Sequence, residues 1–98
     1  TPPNINDDPI DAPLQIYPNP ASGNLNIVFK VEQDSDIDIV LVDPVGRIVK
    51  QFIDGEKFVT NQYVWTTDVE DVPQGLYYLK YYHNNQVNTV PLAVMRSY

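Results

Sequence analysis

Ninety-eight residues with thirteen acids against six bases, a net charge of −7 and no cysteine make a small acidic chain without disulfide or thiolate chemistry. A chain of this length buries only about 60–65% of its unfolded surface, which allows one two-layer core and no deep catalytic cavity. Lys30, Arg47, Lys50, Lys57, Lys80 and Arg96 are scattered, and no apolar run reaches the span of a bilayer, so neither a nucleic-acid partner nor a transmembrane segment is expected.

Residues 1–13 carry Pro2, Pro3, Pro9 and Pro13 beside Asp7, Asp8 and Asp11, with only Ile5, Ile10 and Ala12 apolar. So little apolar surface does not offset the entropy of ordering, and 1–13 reads as an extended Pro/Asp-rich linker. The opposing reading is an edge strand. No basic-then-apolar leader opens the sequence, so the chain is expected to be one module of a longer polypeptide.

From Leu14 onward apolar and polar residues alternate with period two. Leu14 and Ile16 mark a first short strand. Tyr17-Pro18-Asn19-Pro20-Ala21-Ser22-Gly23 then forms a rigid corner: the prolines fix their own φ, and Asn19 and Gly23 suit tight backbone. Leu25, Ile27, Phe29 and Val31 share one face of the next strand, opposite Asn24, Asn26 and Lys30. Ile37, Ile39 and Leu41 face inward on a third. Further strands are expected over 47–53, 58–67, 76–83 and 87–95. No segment carries a 3.6-residue period. The fold class is all-β, an immunoglobulin-like sandwich of about seven short antiparallel strands over 14–98.

The connections carry turn chemistry. Asp43-Pro44-Val45-Gly46 places Pro second and Gly after the centre, as a type I turn with a bulge requires. Val72-Pro73-Gln74-Gly75 repeats that chemistry, and Asn84-Asn85 fits a two-residue hairpin. Pro91 cannot donate to a ladder, so the last strand lies at an edge or is interrupted there.

Reactive constellations are scarce. His83 is the only histidine and sits beside a hairpin turn, so neither a serine triad nor a histidine-rich zinc site is available. Asp34-Ser35-Asp36-Ile37-Asp38 opens like a calcium loop, but Ile39 and Val45 occupy the positions that need Gly and Glu. It reads instead as the polar face of a strand. No catalytic residue, metal ligand or cofactor site is assigned. On the 76–83 strand Tyr77, Leu79 and Tyr81 face one way, with Tyr77 placed as a core or corner tyrosine. Tyr78 and Tyr82 face the other way, where they form either a ligand strip or a partly covered surface.

Three motifs together resemble a known family. The corner Tyr17-Pro18-Asn19-Pro20 with Ala21-Ser22-Gly23 looks like its opening signature, and Asp43-Pro44-Val45-Gly46-Arg47 like its central turn. Val72-Pro73-Gln74-Gly75-Leu76-Tyr77 is similar to its Leu-Pro-x-Gly-x-Tyr element, with Val in place of Leu. The family is the C-terminal sorting domain (type A) of proteins exported by the type IX secretion system of Bacteroidetes. The resemblance implies a non-catalytic signal that directs an upstream cargo in the same chain across the outer membrane. It implies transit through the periplasm, a secreted or cell-surface destination, and the secretion machinery as partner.

On this resemblance Tyr17, Pro18, Asn19, Pro20, Gly23, Asp43, Gly46, Arg47, Gly75 and Tyr77 are motif positions with structural or recognition roles. Arg96, Ser97 and Tyr98 are expected as terminal recognition residues with little core packing, although the single Arg96 departs from the basic stretch that often ends such domains. The alternative reading is an accessory carbohydrate-binding or adhesive sandwich of a secreted enzyme.

Overall fold

The structure is a computed structural model that describes residues 4–5 and 12–96. The strands are β1 (Asn4–Ile5), β2 (Leu14–Tyr17), β3 (Asn24–Val31), β4 (Ser35–Val42), β5 (Ile48–Phe58), β6 (Asn61–Asp68), β7 (Gly75–His83) and β8 (Gln86–Val94). They form two four-stranded antiparallel sheets, ordered β1-β6-β3-β2 and β5-β4-β7-β8. The all-β sandwich expected from the alternation is present.

Two expectations change. Among the described residues there are eight strands where about seven were expected, the additional one being the edge strand that was the opposing reading of the lead-in: Asn4 and Ile5 pair with Val64 and Tyr63 at the edge of β6. The remainder of the lead-in, 1–3 and 6–11, lies outside the described residues. The strand expected to stop at Ile53 continues to Phe58, across register shifts opposite Ile37–Val42. Gly55, at φ +60°, turns its N–H onto the Asp38 carboxylate at 2.8 Å, so the irregularity is held in place by a side chain. A charged, bulged edge of this kind discourages pairing with another chain. Phe58 therefore closes β5 instead of opening β6.

Period-two alternation builds the core. Leu25, Ile27, Phe29 and Val31 of β3 face Ile37, Ile39 and Leu41 of β4 and Tyr77, Leu79 and Tyr81 of β7, all buried. Phe29 lies at the centre of an aromatic group, with ring centroids 5.5 Å from Phe58, 5.6 Å from Tyr63 and 5.5 Å from Tyr81. Each buried aromatic removes a large apolar area from water, and edge-to-face contacts add to that burial.

Polar atoms inside the core are satisfied. Tyr81 Oη donates to the Lys30 carbonyl at 2.6 Å. Tyr77 and Tyr63 each donate to the carbonyl four residues earlier, Pro73 at 2.7 Å and Val59 at 2.8 Å. Two tyrosine corners thus pin the chain where it crosses between sheets. Asn84 and Asn85 both take positive φ, 47° and 62°, as the β7–β8 hairpin requires. Pro91 lies on an edge strand, as its missing N–H demands.

Candidate functional site

The strand registers bring distant segments to one end of the sandwich. Asn24 pairs with Asp68 where β3 begins and β6 ends, and Tyr17 pairs with Asn26 where β2 ends. In the other sheet Gly75 pairs with Val94, while Val42, the last residue of β4, pairs with Tyr78. The corner after β2, the β4–β5 hairpin, the β6–β7 loop and the end of β8 therefore share this end. All three motifs belong to it.

The corner joins the two sheets. Both the Tyr17–Pro18 and Asn19–Pro20 peptide bonds are cis. Asn19 turns its side-chain amide onto β8: Nδ2 donates to the Pro91 carbonyl at 3.0 Å, and Oδ1 accepts from the Ala93 N–H at 3.0 Å. Ala21 continues the contact with backbone, its N–H to the Ala93 carbonyl at 2.8 Å and its carbonyl from the Met95 N–H at 2.9 Å. Ala21 forms a parallel bridge with Val94 and is fully buried, so a small side chain is needed for this approach. The seam between β2 and β8 is closed by an amide that imitates a strand.

Arg96 completes the seam from the other side. Its Nη1 donates to the Ser22 carbonyl at 3.0 Å, and Nη2 donates to the Val69 carbonyl at 2.7 Å and to those of Glu70 and Val72. The Arg96 N–H donates to Gln74 Oε1 at 3.0 Å. These carbonyls belong to loops outside the ladders, with only that of Val69 also accepting a backbone N–H, from Val72, so a planar guanidinium suits them well. The structure thus gives Arg96 a part in the architecture, where the sequence placed it as a terminal recognition residue with little core packing. Ser97 and Tyr98 lie outside the described residues.

The loop between β6 and β7 is tied to the corner by Val69 N–H to the Gly23 carbonyl at 2.8 Å. Lys50 reaches it from β5, donating to the Asp68 carbonyl at 3.0 Å and to Asp71 Oδ1 at 2.8 Å. The bond from Lys50 holds the Asp71 carboxyl below its ordinary value. Gly75 begins β7, and Tyr77 is buried with its hydroxyl on Pro73.

The β4–β5 hairpin is organised by Asp43. Its Oδ1 accepts the N–H groups of Val45 at 3.1 Å and Arg47 at 2.9 Å, and Oδ2 accepts Arg47 Nε at 2.9 Å. The Arg47 backbone N–H is the main cause that lowers the Asp43 carboxyl, with the guanidinium adding to it. Gly46 takes φ +92°, which favours glycine.

Elsewhere the candidate chemistry is absorbed by the fold. Asp34 Oδ1 accepts both the N–H and the hydroxyl of Thr60, and His83 Nε2 lies 2.7 Å from Asn88 Oδ1 while its ring stacks on Tyr81. Among the described residues no group of three His, Cys, Asp or Glu side chains is placed to hold a metal. On the outer face of β7, Tyr82 is 40% exposed and Tyr78 half-buried.

Fold and site together define a small β-sandwich that presents one built end, made of signature turns, to its surroundings. Residues 15–95 match the family described as the secretion system C-terminal sorting domain. The chain belongs to that family, whose members are the signals by which the type IX secretion system exports its cargo. Membership implies recognition by that machinery, an attached cargo, and a secreted or cell-surface fate. No curated protein and no solved structure matches the chain.

Proposed function

We propose that residues 14–98 act as a non-catalytic folded export signal, and that the machinery reads the end where the three motifs meet rather than a linear terminal peptide. The observation that carries this reading is the seam: Asn19, Ala21 and Arg96 bind the opening motif, the β6–β7 loop and the end of β8 into one surface. Segments far apart in sequence contribute to it, so it exists only in the folded domain. Cargo travels through the periplasm before export.

The test is to fuse residues 1–98 behind a periplasmically targeted reporter in a type IX-competent host. The reporter is expected outside the cell. A second fusion, carrying a peptide of residues 86–98 alone, is expected to leave the reporter in the periplasm. Export by the peptide alone would falsify the folded-signal reading.

A further inference from the structure

Most motif side chains at this end are consumed by the fold. Asn19 closes the seam, Arg96 collects loop carbonyls, Tyr77 pins the chain crossing, and Asp43 spends both oxygens on the hairpin backbone and on Arg47 Nε. Arg47 is different. Its backbone N–H serves the turn, but any residue supplies that. Its side chain is 81% exposed, and among the described residues neither terminal nitrogen has a partner. With the guanidinium end of the pair in water, the contact with Asp43 contributes little to stability, so the fold leaves the two terminal nitrogens without a role.

The surroundings of Arg47 are equally unexplained by packing. Val45 at the hairpin tip is 77% exposed and Ile48, just beyond Arg47, is 61% exposed. Both lie within two positions of Arg47, so apolar surface flanks the exposed guanidinium on either side in sequence. The pair to Asp43 also aims the guanidinium: with Nε held, the two Nη groups form a fixed fork of the geometry that binds a carboxylate bidentately.

We propose that this hairpin is the contact point of the sorting signal, with Val45 and Ile48 entering an apolar pocket of a protein partner and the Arg47 Nη pair engaging a carboxylate at its wall. The assignment rests on the folded-signal reading above and narrows it to one element. A protein carboxylate is favoured over the phosphates of a lipid surface by charge. The net charge of −7 repels this domain from a dense anionic surface, whereas one carboxylate in an apolar pocket faces a single guanidinium.

The experiment uses the full 1–98 reporter fusion, with extracellular reporter and melting temperature measured for each variant. Arg47→Ala and Val45→Asp should melt as the wild type does and lose export by about tenfold or more, the loss expected of a truncated interface anchor. Arg47→Lys, which keeps the charge but not the fork, should recover only part. Lys57→Ala, which removes an exposed cation at the end of β5 away from the hairpin, should export normally. Normal export by Arg47→Ala overturns the assignment while leaving the folded signal standing. An equal loss in the Lys57 variant also overturns it, by showing that only net charge is sensed. So does Arg47-dependent sedimentation of the domain with lipopolysaccharide vesicles, because the anion is then a lipid phosphate. If the unaltered fusion is not exported, the folded-signal reading falls first and the hairpin assignment with it.

Discussion

Asn19 and Ala93, 74 residues apart, are joined as if they were neighbours in a ladder: the Ala93 N–H donates to Asn19 Oδ1 at 3.0 Å. The same amide donates to the Pro91 carbonyl, so one side chain replaces a missing strand residue between Pro91 and Ala93. Ala21 then takes over with backbone bonds, and the edge of β8 is covered where Pro91 has no N–H to offer.

Replacing Asn19 should therefore cost stability out of proportion to its exposure. Asn19→Ala is expected to lower unfolding free energy by about 1–3 kcal/mol, because two backbone groups lose partners in one step. Asn19→Asp keeps an acceptor for Ala93 and loses the donor to Pro91, so it should fall between. Urea unfolding of the three proteins gives the order, and faster amide exchange at Ala93 identifies the site.

Arg96→Ala should destabilise the domain by about 1–3 kcal/mol, since a charged donor set is withdrawn from loop carbonyls that water then has to reach. Arg96→Lys should recover less than half, having no planar fork to span Ser22 and Val69. Thermal unfolding decides this. If the alanine variant melts normally, the guanidinium is ornamental to the loops.

The hairpin makes two separable demands. Gly46→Val should cost about 1 kcal/mol or more through backbone conformation alone, for a Cβ there meets nothing within 4 Å. Asp43 adds a pH dependence. Its folded carboxyl is lowered from 3.8, so the folded chain binds fewer protons than the unfolded one in that region. The stability it contributes is complete above 3.8 and is lost as pH falls below that value through the folded one. Asp43→Asn should flatten this acid limb of the unfolding profile.

Tyr81 governs the alkaline side. Burial, with a smaller push from the Glu32 charge, raises its hydroxyl well above the ordinary 10.0. The unfolded chain releases this proton near 10.0 while the folded chain retains it, so stability should fall as pH rises beyond that point. Tyr81→Phe should lose about 1 kcal/mol at neutral pH, from the bond to the Lys30 carbonyl, and should show a shallower alkaline decline. An unchanged slope would mean that another group controls that limb.

Much of the architecture was legible because it depends on local rules. Period-two alternation placed the core of β3, β4 and β7, and turn residues placed the hairpins at Gly46 and at Asn84-Asn85. Pro91 marked an edge. The bulge near Gly55 was not legible, since it depends on a carboxylate of the neighbouring strand accepting its N–H. The two-residue β1 was only the opposing reading of the lead-in, because prolines and aspartates surround it. The roles of Asn19 and Arg96 were hidden for another reason: side chains that bond to distant backbone leave no periodic trace.

The seam at Asn19 also fixes when this surface can appear. Asn19 and Ala21 are made early and lack their partners until 91–95 have emerged and β8 has docked on β7. Closing so long a loop comes after the local hairpins have paid their own entropy. An unfinished or misfolded domain consequently lacks this end altogether, so the joined ends are present only once folding is complete.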